Sequence, residues 1–505
     1  MGTPSRRAPG SRGRSFVRSR REQGAVARGD GGRRSGHGKF RPAGGPARPL
    51  SLAGARERSA ERLNLRAEAA SLLAQVLDHR QSLKRLLQER QARLAREEDR
   101  ALLRELAAGV VRHLPLLDWV LDDQTERGLA DTQAELRQIL RVGAFQLLFL
   151  DRVPTYAAVD QCVEAAKAVS PGAGGFVNGI LRGVAERREE AKELPYRLNG
   201  KEGAALRLGM PEWLAQRYLA RFGEAAGEDL MEALQAPAPT TLVFLSPSAR
   251  AQGLPLLRRE GIVLEPDAAL PLTYAVRRGN PAETEAFRRG HFYIMDPASQ
   301  VPALLLPVEE STRVLDLCAA PGGKTILLSG RVGERGWVLS TDVHRRRLAQ
   351  IGENVRRLGL TNVRLAQVDL EAGLPFRPEW SAVLLDAPCS SLGTLRRNPE
   401  IRWQIQESEL AFLADRQFRF LTEAARVVSP GGVLCYSVCS IEPEETEAVA
   451  ERFLMENAAF SPYPCKPPKP LAEILEPAGN GRFACLPHRH SWDGFFIALF
   501  RRRSS

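Results

Sequence analysis

The sequence predicts a doubly wound α/β domain on a mostly parallel sheet, preceded by an all-helical module and a small connecting subdomain. Three observations lead there. From Ser311 onward, short apolar runs alternate with helical patterns, the signature of parallel strands joined by crossover helices. Between residues 52 and 192 the periodicity is helical throughout, with no convincing strand. A chain of 505 residues also exceeds what one core organises.

In the helical module Leu65, Ala69, Leu72, Leu73, Val76 and Leu77 recur at i, i+4, i+7, i+8, i+11 and i+12, an apolar stripe. Leu102, Leu103, Leu106 and Val110 repeat it, as do Leu140, Val142, Phe145, Leu147 and Leu148. Pro154 and the Ser170-Pro-Gly-Ala-Gly-Gly run punctuate the later helices. Residues 195–300 change character: short helices around Pro211, a Pro-rich stretch at Ala236-Pro-Ala-Pro, and a possible strand over Thr241–Leu245. They read as a small α/β connector. Residues 301–502 form the sheet domain, with strands expected at Arg313–Leu317, Trp337–Thr341, Val363–Val368, Ala382–Leu385, Val433–Tyr436 and Phe495–Phe500. No repeat at solenoid periods is present.

The net charge of +12 is unevenly placed. Residues 1–50 hold 12 Arg and 1 Lys against Glu22 and Asp30, while the other 455 residues carry 59 basic and 58 acidic side chains. The first 50 residues, with 11 Gly and 5 Pro, bury too little apolar surface to offset ordering entropy and read as a disordered basic tail. Such a polycation attracts phosphate backbones without reading sequence. It lacks the apolar core of a signal peptide, and Arg6 is a poor fit to a myristoylation signal. No apolar stretch reaches membrane-spanning length, so no membrane contact is expected. A monomer is expected as well. Seven scattered cysteines (162, 318, 389, 435, 439, 465 and 485) form no disulfide framework and favour a reducing cytoplasm. Cys485-Leu-Pro-His488-Arg-His490 lacks a second ligand pair at finger spacing, so no metal is expected.

Leu315-Asp-Leu-Cys-Ala-Ala-Pro-Gly-Gly-Lys-Thr325 reads as strand, glycine turn and helix start, a place where backbone approaches a ligand closely. A P-loop needs glycine where Cys318 stands, and G-x-G-x-x-G is absent. The remaining reading is the S-adenosylmethionine turn of a class I Rossmann-like methyltransferase. Asp342 then ends the next strand where an acid holds ribose hydroxyls, and Asp369 follows the third strand near the adenine amine. Asp386 continues the series.

Two cysteines fifty residues apart carry the chemistry. Cys389 in Asp386-Ala-Pro-Cys-Ser and Cys439 in Tyr436-Ser-Val-Cys-Ser each follow a buried-strand pattern, where open α/β sheets bind ligands. A thiolate there can attack an electron-poor carbon such as C6 of a pyrimidine.

These motifs resemble the Fmu/Sun-type family of RNA cytosine-5 methyltransferases, in particular its bacterial small-subunit ribosomal RNA branch. The matching segments are Asp296-Pro-Ala-Ser-Gln, Cys318 to Lys324, Leu385-Asp-Ala-Pro-Cys-Ser, Arg396-Arg-Asn-Pro-Glu-Ile-Arg-Trp403, Tyr436 to Glu445 and Asp493-Gly-Phe-Phe496. Gly143-Ala-Phe-Gln-Leu-Leu, Arg152-Val-Pro and Phe176-Val-Asn-Gly-Ile-Leu-Arg182 resemble the family's NusB-like domain. The resemblance implies Cys439 as nucleophile, Cys389 as the cysteine assisting product release, and Asp386 beside them. It implies a cofactor set of Cys318, Ala319, Ala320, Pro321, Gly322, Gly323, Lys324, Asp342, Asp369 and Asp386. Val438, His344 and Pro297 depart from the usual Thr, acid and Glu.

The expected reaction is methylation of cytosine C5 in RNA through a cysteine–C6 adduct, with 16S ribosomal RNA as the implied substrate and S-adenosylmethionine as donor. Arg396, Arg397 and Arg402, near Trp403, are expected to hold phosphates or stack bases. The base must leave its stack, which favours single-stranded or loop RNA. Two other readings remain at this point: the same chemistry on transfer RNA, and a non-catalytic RNA-binding assembly factor.

Overall fold

The computed structural model describes residues 64–198 and 200–504. The expectation for residues 1–50 lies outside them. The described residues open with eight α-helices: α1 (Leu65–Leu77), α2 (Leu83–Gln91), α3 (Glu97–Arg112), α4 (Leu114–Asp123), α5 (Ala134–Phe149), α6 (Thr155–Val169), α7 (Ala173–Glu186) and α8 (Arg188–Glu193). Asn64 starts α1, its side chain accepting from the N–H groups of Arg66 and Ala67. Helix α5 runs through the middle, buried nearly all round from Leu136 to Leu148, as a helix enclosed by others must be. Its one buried guanidinium, Arg141, meets Asp118 at 2.7 Å.

The connector is more helical than the sequence suggested. Helices α9 (Gly200–Leu208), α10 (Glu212–Phe222) and α11 (Glu224–Gln235) come first. They share a core with Leu392, Leu395, Leu410 and Ile441 of the later domain. The expected strand is one of four: β1 (Thr241–Phe244), β2 (Val263–Pro266), β3 (Thr273–Arg278) and β4 (Phe292–Ile294) form an antiparallel sheet of order β2-β3-β1-β4. Helices α12 (Pro247–Arg259) and α13 (Glu285–Arg288) fall within it, and α14 (Pro297–Leu305) leads on. Short, half-exposed strands such as Val263–Pro266 carry little apolar alternation, so the sequence hid three of the four.

The last domain alternates as expected. Its elements are β5 (Arg313–Leu317), α15 (Gly323–Val332), β6 (Trp337–Asp342), α16 (Arg345–Arg357), β7 (Val363–Gln367), β8 (Trp380–Asp386), α17 (Ile401–Gln404), α18 (Glu407–Val427), β9 (Val428–Val438) and α19 (Glu447–Glu456). Then come β10 (Phe460–Pro462), β11 (Glu476–Pro477), β12 (Arg482–Cys485) and β13 (Phe495–Arg502). The strand order is β11-β12-β13-β9-β8-β5-β6-β7, with β10 beside β13. Strands β5 to β9 pair in parallel, and β13 closes antiparallel on β9. Side chains alternate across the sheet as the pleat requires. Leu315, Val383, Leu385 and Leu434 enter one core, while Val314, Ala382, Leu384 and Val433 enter the other. With both faces covered, the strands read as continuous apolar runs.

Candidate active site

Strands β8 and β9 lie side by side in parallel, with Asp386 opposite Ser437, so their C-terminal ends open at one edge. Ala387 N–H donates to the Ser437 carbonyl at 2.9 Å and extends the pairing one step beyond the strand. That register is why two cysteines fifty residues apart meet: Cys389 Sγ lies 3.2 Å from Cys439 Sγ. Ser391 Oγ stands 3.3 Å from the Cys439 sulfur and 3.9 Å from that of Cys389. Behind them Gly393 N–H donates to the Cys439 carbonyl and Gly494 N–H to the Gly393 carbonyl. A Cβ on Gly393 would sit 2.1 Å from the Gly494 oxygen, so only glycine permits this stacking of loops.

The two thiols are unequal. Its hydrogen bond with Cys389 pulls the Cys439 thiol below its ordinary range, against its burial. Cys389 is pushed well above its range by that same bond, by burial and by the charges of Cys439 and Glu445. Of the two, Cys439 is therefore the thiol that ionises first. The thiolate is the reactive form of a cysteine, so this difference favours Cys439 as the candidate nucleophile.

Lys324, in the first turn of α15, points across to this edge. Its Nζ meets Asp386 Oδ2 at 2.6 Å, Ser437 Oγ donates to Asp386 Oδ1 at 2.8 Å, and Nζ lies 5.0 Å from the Phe495 ring centroid. Burial works against the ammonium, but the adjacent Asp386 outweighs it and holds the lysine above its usual range. The sequence reading grouped Lys324 with the cofactor loop; its ammonium is committed to Asp386, beside the cysteines.

The rest of that loop forms the turn between β5 and α15. Cys318 adopts φ 56° and Gly322 φ 103°, both left-handed. Ala319 N–H donates to the Thr341 carbonyl at 2.8 Å, which fixes the loop to β6. Gly322 begins α15 without a side-chain cap, leaving first-turn N–H groups for an anionic ligand. Asp342 ends β6, nearly buried, with Oδ1 accepting from His344 N–H at 2.9 Å and Oδ2 only 3.6 Å from Arg347. A carboxylate so placed can accept from a diol. Asp369 is exposed beyond β7, its Oδ1 accepting from Glu371 N–H. An uncapped helix start, a left-handed glycine and a strand-end acid fit S-adenosylmethionine. Beneath the turn, buried Asp316 accepts from Thr325 Oγ1 at 2.6 Å, and burial raises its carboxyl to about 7.

Of the three arginines expected to bind RNA, Arg396 and Arg402 are buried, which corrects that expectation for those two, while Arg397 keeps part of its side chain at the surface. Arg402 is 0% exposed, donating to the carbonyls of Gly209 and Leu234 and to Gln235 Oε1. Arg396 is buried and donates to the Ser491 carbonyl. Arg397 forks between Asp296 at 2.6 Å and Asp493 at 2.8 Å. The neighbouring Trp403 Nε1 donates to the Val111 carbonyl, and Gln404 Nε2 to those of Val76 and Gln81. Segment 396–404 thus joins the helical module, α9–α11 and the sheet domain. Their bonded donors go to elements distant in sequence, and the buried Arg402 Nε has no partner among the described residues, so nothing local distinguished these arginines from phosphate ligands. Sequence reasoning also missed Ser391, Gln417 and Glu445. The acid-rich Glu442-Pro-Glu-Glu445 run after Cys439 was the available signal.

Comparison with known proteins agrees with this geometry. The 16S rRNA methyltransferase RsmB/F family matches residues 302–501, and the NusB family matches residues 63–186. The protein of Sodalis glossinidius (strain morsitans) named ribosomal RNA small subunit methyltransferase B is 36% identical over 446 residues, covering 86% of this chain and 97% of its own.

The chain belongs to the ribosomal RNA small subunit methyltransferase B family.

Like others of that family it is an S-adenosylmethionine-dependent RNA methyltransferase carrying a NusB domain. Two solved structures share its fold. PH0851 superposes with a TM-score of 0.75 at 24% identity, over 87% of this chain and 98% of its own. A methyltransferase homolog from Pyrococcus horikoshii gives 0.50 at 28% identity, over 59% and 97%. In this methyltransferase, no three His, Cys, Asp or Glu side chains converge as a metal site among the described residues.

Proposed function

We propose that this enzyme methylates C5 of a cytosine in 16S ribosomal RNA, with Cys439 as nucleophile and Cys389 as its proton partner. The observation that carries the reading is the pair of thiols 3.2 Å apart beside the Lys324–Asp386 ion pair. Cytosine C5 is too weak a nucleophile to be methylated directly. Attack of the Cys439 thiolate on C6 forms an S–C6 bond and moves the C5=C6 π pair toward C5, which becomes enamine-like. Asp386 accepts from the exocyclic amine and Lys324 donates to the ring, stabilising the charge that develops there. S-adenosylmethionine, held by Cys318 to Gly323, Asp342 and Asp369, supplies an electrophilic methyl group. Once the methyl group has passed from the sulfonium, which is left as a thioether, C5 gives its proton to water and the C–H pair reforms the C5=C6 double bond. The S–C6 bond breaks, so that Cys439 leaves as a thiolate that accepts from the Cys389 S–H.

In this reading the enzyme works as a monomer in the cytoplasm, on RNA whose target base is flipped out of its stack. No helix among the described residues is long and apolar enough to cross a membrane. The test is transfer of labelled methyl groups from S-adenosylmethionine to ribosomal RNA, followed by digestion to nucleosides. Label should elute as 5-methylcytidine from 16S RNA; label in another nucleoside, or none, contradicts the proposal.

A further inference from the structure

The polar run after Cys439 does work that methyl transfer alone does not account for. Glu445 is fully buried. Its Oε1 accepts from Ser390 N–H at 2.8 Å and Gln417 Nε2 at 2.9 Å. Its Oε2 accepts from Ser390 Oγ and Ser440 Oγ, each at 2.5 Å. Ser390 follows Cys389 and Ser440 follows Cys439, so one carboxylate binds the residue after each cysteine. Gln417 is held in turn: its Nε2 also donates to the Pro388 carbonyl at 3.0 Å, and its Oε1 accepts from the Tyr436 hydroxyl at 3.0 Å. Four donors fill the acceptor sites of a carboxylate, and that is what makes a buried charge tolerable. Glu445 does not touch the space open to a base.

We propose that Glu445 is a positioning residue, a buried clamp that holds the two cysteine loops together so that the Cys389 thiol stays hydrogen-bonded to the Cys439 sulfur. The charges around the pair agree with this. Cys439 faces Cys389, Asp386, Ser391 and Lys324, whereas Cys389 faces Cys439, Ser391 and Glu445. The hydrogen bond between the sulfurs and burial, with the charges of Cys439 and Glu445, raise Cys389, and that same bond lowers Cys439. This rests on the proposed roles of the cysteines only for its catalytic meaning; the geometry stands without RNA.

The test therefore uses the free full-length protein. Iodoacetamide labelling of each cysteine is followed against pH by peptide mass spectrometry. Glu445→Gln, which removes the charge and places an amide against the two hydroxyls, should raise the Cys439 labelling midpoint by about one pH unit, slowing labelling about tenfold below it. Cys465, half-exposed and outside this network, should keep its profile. If Glu445→Gln does not fold, the Ser390→Ala/Ser440→Ala pair strips both hydroxyls, leaves the carboxylate, and should shift Cys439 the same way. A folded variant whose Cys439 profile matches the wild type overturns the proposal, as does an equal shift at Cys465. Either result is read without RNA or cofactor and so is distinguishable from the outcome of the wild-type methylation assay.

Discussion

Arg402→Met separates a structural arginine from an RNA-binding one. The guanidinium is fully buried and donates to the Gly209 carbonyl at 2.7 Å, to Gln235 Oε1 at 2.7 Å and to the Leu234 carbonyl at 3.2 Å. No carboxylate bonds it directly, and burial lowers it to about 9. Methionine fills similar space but leaves these acceptors without a donor. Gln235 Nε2 is already committed to the Arg112 carbonyl at 2.7 Å, so Gln235 Oε1 and two carbonyls are stranded, at about 1–3 kcal/mol each. Relief of the guanidinium's own desolvation offsets part of that. The expected net loss is about 2–4 kcal/mol, the range for breaking a buried polar network. Urea unfolding followed by both fluorescence and circular dichroism suits a multidomain chain, because the two signals need not coincide. RNA affinity measured across salt concentrations completes the assay. If Arg402 neutralises a phosphate, the variant unfolds at the wild-type midpoint and its log K against log salt slope shrinks by about one unit. That result would refute the structural role.

Lys324→Met should lower methyl transfer by about 10²- to 10³-fold, the usual cost of removing one preorganised charge, while calorimetry still detects S-adenosylmethionine binding. Loss of cofactor binding instead would return Lys324 to the cofactor set. Gly322→Ala should abolish cofactor binding, because φ 103° is strained for alanine and its Cβ would press on Ile351 at 3.0 Å. Binding unchanged by calorimetry would contradict that. Asp316 has its folded pKa raised from 3.8 to about 7, so its contribution to stability is complete below about 4 and is lost as pH rises through 7. Asp316→Asn should therefore gain on the wild type between pH 5 and 8 in urea midpoints; a constant difference would contradict the raised value.

Much of the fold is legible because both faces of the main sheet are covered, so Ala382–Leu385 is an unbroken apolar run and Val314–Leu317 is interrupted only by Asp316. The cysteine site is legible for the same reason: each motif closes such a run. What escaped depends on partners distant in sequence. Arg402 reads as a surface cation until Gly209 and Leu234, more than 160 residues away, supply their carbonyls. Glu445 sits in an acidic run that looks solvated, and only the fold brings Ser390 to it. The small antiparallel sheet was largely invisible because strands of three or four residues show little periodicity.

The central claim is the division of labour between Cys439 and Cys389, and a covalent trap tests it most directly. Each cysteine is changed to alanine in the full chain, which is incubated with 16S RNA and S-adenosylmethionine and run on a denaturing gel. Cys389→Ala should accumulate a protein–RNA adduct that survives denaturation, because Cys439 still adds to C6 but loses the thiol that receives it on departure. Cys439→Ala should give neither adduct nor methylated RNA. An adduct that builds up with Cys439→Ala and not with Cys389→Ala would contradict the account.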